Sequence, residues 1–308
     1  MAAYKKIPFT SITGETLESY TWQPEGKIHG ILQLVHGMAE HIARYDSLGN
    51  FLADKGFVVV GHNHLGHGNT AKVQGFFAKE NGWDALLADM HKVREAVQVE
   101  HPGVPYFLLG HSMGSFLTRC YLKTHSQGLK GAVLSGTGAF STIEVLMGLI
   151  LSKSLMLLGR GEKPAKIVDT LAFSANNKPF APTATPFDWL SRDQIQVKKY
   201  VDDPLCGFVF TACGYHDLFT GLKRLNQPEW VQEKSLPMLF MSGARDPVGK
   251  SGMGVKKVIA KYEQAGVKDI TFRLYPDARH EVLNETNRQA VFWDLAAWLK
   301  EKAAIQIC

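Results

Sequence analysis

A serine, an aspartate and a histidine stand in this sequence in an order and a context that suit nucleophilic catalysis. Ser112 is the centre of the pentapeptide Gly110-His111-Ser112-Met113-Gly114, which follows an apolar run and precedes a helical pattern. A serine on a sharp strand-to-helix turn exposes its hydroxyl group, and the adjoining helix N-terminus favours negative charge there. Asp246 and His280 each follow a later apolar run. Because a serine needs a base and the base needs an orienting carboxylate, we predict a Ser112–His280–Asp246 triad for acyl transfer.

Each member of this triad also has a simpler interpretation. Ser112 could cap the following helix, Asp246 could begin an Asp-Pro turn, and His280 could be a surface loop histidine. Asp277 and Glu281 are alternative carboxylates, but both lie too close in sequence to His280 for the separate loop that the acid normally occupies. The chain order of serine, acid and histidine therefore favours the first assignment.

Two backbone N–H groups are expected to bind the negative charge that develops on the substrate oxygen. One belongs to Met113, which follows the nucleophile directly, and the other comes from a loop after an early strand. The segment Val35-His36-Gly37-Met38 ends such a strand, so Met38 is the second predicted donor. His111, which precedes the nucleophile, is a candidate substrate contact.

Short apolar runs alternate with helical patterns over most of the chain, and this alternation predicts how the triad is positioned. The runs lie at 30–35, 57–60, 106–109, 131–134, 238–241 and 270–274. Near-continuous apolar strands separated by amphipathic helices predict an α/β fold with a mostly parallel central sheet covered on both faces. The first 25 residues differ, and their pattern around Thr13-Gly14 predicts an antiparallel hairpin at the sheet edge.

One segment, residues 140–222, interrupts the alternation and is too long for a connecting loop. We predict that it forms a mainly helical cap, inserted into a discontinuous core of residues 1–139 and 223–308. Its apolar residues at helical spacing are Ile143, Leu146, Met147, Ile150, Leu151, Leu157 and Leu158. Further apolar residues lie off this stripe, so one face could pack on the core while another lines an acyl tunnel or touches a membrane. All of them could instead form the interior of the cap.

Four of these residues, Leu146, Met147, Ile150 and Leu151, are the candidate substrate contacts in the cap. Each buried methylene contributes about 0.8 kcal/mol, so an apolar lining of this kind would select chain length.

Composition argues against several classes of protein. The chain of 308 residues is 45% hydrophobic and 20% charged, which is a globular balance. Its net charge of +5 is small and spread out, so no nucleic-acid partner is predicted. No signal peptide is recognised at the N-terminus, and no run approaches the ~20 apolar residues of a membrane span. The cysteines form no CxxC pair, which favours reduced thiols and a cytoplasmic location; they are Cys120, Cys206, Cys213 and Cys308.

Cofactor and metal motifs are incomplete. No GxGxxG follows a strand, so no nicotinamide cofactor is predicted. His62, His64 and His67 have the HxHxxH spacing of a metal-binding loop, but Gly66 stands where that motif requires aspartate. We therefore predict neither a metal nor a cofactor.

These segments together resemble the serine α/β-hydrolase superfamily, specifically its monoacylglycerol lipase and lysophospholipase group. The resemblance covers essentially the whole chain, and it rests on His36-Gly37-Met38-Ala39-Glu40-His41 with Arg44-Tyr45, on residues 63–70 and 110–114, on Asp188–Asp193 and Tyr200–Cys206 in the insert, and on Asp246-Pro247-Val248 and His280-Glu281. The sequence departs from the group's pattern at Asn63, Leu65 and Thr70, where aspartate, arginine and serine are usual.

The resemblance implies an α/β-hydrolase fold and hydrolysis of a single-chain acyl ester, such as a monoacylglycerol or a lysophospholipid. A broad-specificity esterase, an amidase or peptidase, and a non-catalytic lipid-binding protein remain alternatives. Transient contact with a membrane or micelle through the cap is also expected. Head-group preference, acyl length and oligomeric state are left open.

Overall fold

The protein, described by a computed structural model over residues 4–228 and 231–304, is built on an eight-stranded sheet. The strands in chain order are β1 Lys5–Thr10, β2 Thr16–Trp22, β3 Gly30–Val35, β4 Phe57–His62, β5 Tyr106–His111, β6 Gly131–Ser135, β7 Met238–Gly243 and β8 Ile270–Tyr275. Their order in the sheet is β1-β2-β4-β3-β5-β6-β7-β8. The pairs β1–β2 and β2–β4 are antiparallel and the others are parallel, so the mostly parallel sheet and its edge hairpin are confirmed. Cys308 lies outside the described residues.

Helices cover both faces of this sheet. In chain order they are α1 Asp46–Ala53, α2 Gly82–Glu100, α3 Met113–His125, α4 Thr142–Leu155, α5 Lys166–Phe173, α6 Gln194–Asp202, α7 Ala212–Asn226, α8 Met253–Gln264 and α9 Arg288–Ala304. Alternate residues of β3 show the arrangement: Ile31 and Val35 join a core with α2, α3 and α8, whereas Leu32 and Leu34 join a second core with α1 and α9. Burial on both faces explains why the strands read as continuous apolar runs.

The insert contributes α4 to α7 together with short turns. Ser141 and Glu144 form a capping box at the start of α4, where the Glu144 carboxylate accepts the Ser141 N–H at 2.7 Å. Helix α7 packs against α4 and also against α2 and α3 of the core. Because α7 runs unbroken from 212 to 226, it crosses the expected cap boundary between 222 and 223, and that boundary stays a prediction.

Helix α4 continues into one π-helical turn, Met156–Arg160. Among the described residues, this combined segment, Thr142–Arg160, is the one helix that meets a length and composition criterion for crossing a membrane, with a mean hydropathy of 1.6. The sequence predicted no membrane span, because Ser152 and its polar neighbours interrupt the apolar run in this helix. Ser152 is buried, however, and its hydroxyl donates to the Gly148 carbonyl at 2.7 Å within the helix.

Candidate active site

Ser112 occupies the sharp turn between β5 and α3 that its sequence context predicts. Its φ of 51° and ψ of −119° lie in a region that residues other than glycine rarely adopt. A Cβ at Gly114 would lie 2.6 Å from the His36 carbonyl oxygen, and one at Gly110 would lie 2.7 Å from the Gly114 carbonyl carbon. Both positions therefore require glycine, because a side chain at either one would push α3 away from the strands and distort the turn that carries Ser112.

Asp246 and His280 meet at the carboxyl edge of the sheet, after β7 and β8. Nδ1 of His280 lies 2.9 Å from Oδ1 of Asp246, and both side chains are buried. The same carboxylate oxygen accepts the Val248 N–H at 2.9 Å. Nε2 of His280 is buried with no hydrogen-bond partner among the described residues. An imidazole held at one nitrogen and open at the other is the arrangement of a general base.

The electrostatics around His280 favour its protonated form. Burial lowers the pKa of His280, but the charge and hydrogen bond of Asp246 outweigh that effect, so the net pKa lies above its usual value. His111, whose ring centroid lies 4.9 Å from that of His280, behaves differently. Burial, followed by repulsion from His280, lowers the pKa of His111 to about 4. The predicted substrate contact His111 is thus a neutral, buried neighbour of the base.

In the loop of residues 36–41, here called the oxyanion loop, the Met38 N–H lies between two backbone donors that are already bound. The Gly37 N–H binds Oε1 of Glu40 at 2.5 Å, and the Ala39 N–H binds Nε2 of His67 at 3.2 Å. The intervening Met38 N–H has no such partner in the described part of the chain. Met113 is the first residue of α3, so its N–H has no acceptor within the helix. Both predicted oxyanion donors therefore have an N–H group that is available to a substrate oxygen.

An ionic network joins the oxyanion loop to residues 276–281, here called the histidine loop, which follow β8 and carry His280. The sequence did not predict this network. The Arg44 guanidinium contacts Glu40 at 2.5 Å and both carboxylate oxygens of Glu281 at 2.8 and 2.7 Å. Tyr45 donates its hydroxyl to Glu40 at 2.9 Å. Burial raises the pKa of Glu281, but the charge and hydrogen bonds of Arg44 have the larger opposite effect, so the net pKa falls to about 2. The signal for this network was present in the Glu40-to-Tyr45 segment that carries the family resemblance.

This network also bears on the alternative acids. The Glu281 carboxylate binds Arg44 and also accepts a hydrogen bond from the Asn284 amide at 2.9 Å. Asp277 is exposed on the turn after β8, at a φ of 57°. Of the three carboxylates considered, Asp246 is the one hydrogen-bonded to His280.

A cap segment, residues 188–193, packs directly on the histidine loop. The Trp189 ring lies 5.0 Å from that of His280, and the Trp189 carbonyl accepts the His280 N–H at 3.4 Å. Glu285, fully buried, accepts the Arg279 N–H at 2.8 Å and Nε of Arg192 at 2.9 Å. Sequence spacing gave no hint of this contact, because it joins loops about 90 residues apart whose polar residues resemble ordinary surface charge.

The histidines at 62, 64 and 67 are buried among themselves and His36. Backbone groups occupy several of their nitrogens: Nε2 of His36 accepts the His64 N–H at 3.0 Å, and Nδ1 of His67 lies 3.0 Å from the Leu65 carbonyl. Burial lowers the pKa of His67 to about 3 and that of His62 to about 4. The rings of His64 and His67 contact the oxyanion loop at His36 and Ala39 and so help to hold it in place.

The departures from the family pattern have local explanations. The Asn63 amide accepts the Ile42 N–H at 2.9 Å and donates to Glu18 at 3.2 Å, where an aspartate would face another carboxylate. Leu65 is fully buried in the apolar core. The Thr70 hydroxyl is buried without a hydrogen-bond partner among the described residues, and the structure offers no reason for threonine there.

The predicted substrate contacts of the cap divide into two groups. Leu146, Met147 and Ile150 are 53, 63 and 59% exposed on the outer surface of α4. Leu151 is half-buried and packs on the core. The expectation that the whole stripe could form the interior of the cap is wrong. The exposure favours surface contact over a tunnel lining for the first three residues, and their role in substrate binding stays a prediction.

The chain is similar to known proteins over most of its length. The family model described as Hydrolase_4, serine aminopeptidase, S33, matches residues 26–287. The chain is 25% identical to "Monoglyceride lipase" of Rattus norvegicus, with 98% of this chain and 93% of that protein covered. It is also 25% identical to "Monoacylglycerol lipase" of Mycolicibacterium smegmatis, with 94% and 95% covered. Among solved structures, a thermostable carboxyl esterase from Bacillus coagulans, solved with glycerol, has a TM-score of 0.91 and 29% identity, with 99% and 100% covered.

Proposed function

The chain belongs to the Hydrolase_4 (serine aminopeptidase, S33) family and is a serine hydrolase, and from this premise we propose that it cleaves single-chain acyl esters such as monoacylglycerols. The observation that carries the proposal is the His280 imidazole. Its Nδ1 is held by Asp246 at 2.9 Å, and its buried Nε2 has no hydrogen-bond partner among the described residues. The names of the lipase relatives and of the esterase structure support an ester as the substrate. The predicted membership of the monoacylglycerol lipase group is confirmed.

In the proposed reaction, Nε2 of His280 takes the Ser112 proton as the hydroxyl oxygen attacks the ester carbonyl. The carbonyl oxygen becomes an oxyanion and accepts hydrogen bonds from the Met38 and Met113 N–H groups, each of which is worth roughly 100- to 1000-fold in rate. His280 returns its proton to the leaving alcohol. Water, activated by the same base, then attacks the acyl-enzyme and releases the fatty acid and free Ser112. Asp246 stabilises the imidazolium throughout.

We further propose that the outer face of the cap contacts lipid surfaces. Beside the three exposed residues of α4 described above, this face includes Ile143, Leu157 and Leu158, which are more than two-thirds exposed. A group of large exposed apolar side chains on a protein surface marks a site of interaction. A monoacylglycerol in water is largely held in aggregates, so a surface of this kind suits delivery of the substrate. The cytoplasmic location expected from the cysteines stays a prediction.

A peptidase is the second candidate, because the matching family model is described as an aminopeptidase. An aminopeptidase needs a free carboxylate to bind the substrate ammonium group. Glu40 and Glu281, the two glutamates that act electrostatically on His280, are both paired with Arg44. This pairing, together with the exposed apolar cap, favours the ester.

The test uses active-site labelling and a matched substrate panel. A fluorophosphonate probe should label the wild type and the control Ser174→Ala, an exposed serine on the cap, but not Ser112→Ala or His280→Ala. Hydrolysis should be fastest for monoacylglycerols in a panel that includes lysophosphatidylcholine, short-chain esters and aminoacyl anilides. Undiminished labelling of Ser112→Ala would remove the triad assignment. Preferential cleavage of the anilides would establish the peptidase instead.

A further inference from the structure

A second group of ionisable side chains lies outside the triad, where the oxyanion loop meets the cap. His41 ends that loop, and Asp203 and Cys206 follow α6 in the cap. Nε2 of His41, a carboxylate oxygen of Asp203 and Sγ of Cys206 all lie within 4.8 Å of one another. In the described part of the chain this is the one group of three such side chains close enough to share an ion.

We propose that His41, Asp203 and Cys206 form a binding site for a divalent zinc-class metal ion, with a fourth position open to water. One imidazole nitrogen, one carboxylate oxygen and one thiolate are ligands that zinc accepts together, whereas calcium and magnesium require oxygen. The site differs from the His62–His67 spacing that the sequence displays, and it shares no residue with the Asp246–His280 pair.

The distances fit an ion after a small adjustment. Nε2 of His41 and Oδ2 of Asp203 are now hydrogen-bonded at 2.8 Å. Zinc bonds of about 2.0–2.3 Å in tetrahedral geometry hold ligand atoms roughly 3.3–3.8 Å apart. The ion would therefore separate this pair by roughly half an ångström and draw the thiol inward. Coordination of Cys206 replaces the S–H proton, which passes to water.

Local charge and access also favour a cation. The guanidinium of Arg44 binds the carboxylates of Glu40 and Glu281, and its charge also acts on the Asp203 carboxylate. Asp203 therefore adds negative charge to a centre where carboxylates already outnumber the cation. The side chains of His41 and Asp203 are 11% and 30% exposed, so an ion can enter from the Asp203 side.

Occupancy of this site should affect the oxyanion loop. The Tyr200 hydroxyl and the Gly207 N–H of the cap both donate to the Ala39 carbonyl, at 3.0 and 2.9 Å. A metal ion would add a bond between the same two elements while moving His41, three residues from the Met38 donor. We expect Zn²⁺ to raise Tm by about 5 °C at 100 times its Kd, as linkage requires, and to slow hydrolysis. The expectation on hydrolysis rests on the proposed function, whereas the expectation on binding does not.

The experiment is a Co²⁺ titration of the reduced full-length protein, with Zn²⁺ as competitor. Wild type should bind one equivalent and show thiolate-to-cobalt charge-transfer absorption in the near ultraviolet. Cys206→Ser should lose that absorption, and His41→Gln and Asp203→Asn should bind at least about tenfold more weakly, since each loses a ligand. Cys213→Ser removes another buried thiol, on α7, and is the matched control that should bind like wild type. Circular dichroism confirms that each variant is folded.

Three results would overturn the proposal: no thiolate absorption in the wild type, retention of that absorption in Cys206→Ser, or binding by His41→Gln as tight as by wild type. The zinc effect on hydrolysis is measured as the ratio of rates with and without Zn²⁺, and it should be lost in Cys206→Ser. Hydrolysis by the metal-free wild type tests the proposed function separately, so a failure of either proposal can be told from a failure of the other.

Discussion

The Arg44 guanidinium and the Glu281 carboxylate form a two-pronged ion pair, with both oxygen–nitrogen distances below 3 Å, Glu281 buried and the Arg44 side chain 11% exposed. Arg44 lies just after the oxyanion loop, and Glu281 adjoins the base His280. The planar fork of arginine matches a carboxylate at two points, so it fixes direction as well as distance. This pair therefore ties the element that is proposed to bind the oxyanion to the element that carries the base.

Breaking this pair should be costly. Arg44→Met leaves Glu40 and Glu281 buried with uncompensated charge, which typically costs about 3–5 kcal/mol of unfolding free energy. Urea denaturation measures the loss. The exposed pair Lys198–Asp202 serves as the control, since Lys198→Met should change the unfolding free energy by less than about 1 kcal/mol. Equal effects at the two sites would show that Arg44 has no structural role beyond an ordinary surface charge.

A glycine beside the nucleophile should tolerate no side chain. Gly114→Ala places a Cβ 2.6 Å from the His36 carbonyl oxygen, and this backbone cannot withdraw without moving β3. Overpacking of this kind costs typically about 1–3 kcal/mol, and here it should also move the elbow enough to abolish fluorophosphonate labelling. Gly26→Ala is the matched control, because nothing lies within 4 Å of a Cβ there. Normal labelling of folded Gly114→Ala would contradict the geometry.

The sheet and the order of the triad could be predicted from the sequence because each is encoded locally. Buried parallel strands such as Phe57–His62 leave continuous apolar runs, and a glycine-flanked serine between a strand and a helix marks its own turn. The same locality explains the edge hairpin, where Gly14 adopts a φ of 84° in the connecting turn.

The contacts that hold the loops together could not be predicted in the same way. Glu285 and Arg192 are distant in sequence, and neither is distinguishable from a surface charge until the cap folds onto the histidine loop. The outer face of α4 posed a different problem, because apolar residues at helical spacing are equally typical of a core helix. Leu157 is 78% exposed, and its exposure is determined by which side of the α4 segment is covered by α7. Local pattern specifies elements, whereas long-range packing decides which of their faces are hidden.

The buried carboxylate Glu285 should act as a positioning residue for the base. It accepts N–H groups from Arg279, which adjoins His280, and from Arg192 of the cap. Glu285→Gln keeps the size but loses the charge and at least one of these bonds. We expect kcat to fall about 10-fold or more with little change in KM, since the loss concerns alignment of the base rather than substrate affinity. A loss of thermal stability with unchanged kcat would show that the role is structural alone.

Catalysis should require His280 to be neutral, so the rate should fall as pH decreases through its pKa. Because Asp246 raises that pKa above 6.5, the acid limb of kcat/KM should lie above pH 6.5. Asp246→Asn removes the charge, so it should move the limb to lower pH while reducing kcat roughly 10³- to 10⁴-fold. His29→Gln, at an exposed histidine far along the chain from the triad, should leave the limb unchanged. An acid limb that Asp246→Asn does not move would separate this aspartate from the base.

Asp217, on α7 where it packs against the start of α2, should make stability depend on pH in an unusual direction. Burial raises its pKa to about 7, although the Gly82 and Trp83 N–H groups favour the charged form. Between pH 4 and 7 the unfolded chain then releases this proton while the folded protein retains it. The unfolded state binds fewer protons, so this residue's contribution to the unfolding free energy decreases as pH rises, by at most about 1.4 kcal/mol per pH unit. Asp217→Asn should remove that slope, and urea denaturation of both proteins across this range measures the difference. A difference between the two proteins that stays constant from pH 4 to 7 would show that Asp217 is already charged throughout the range.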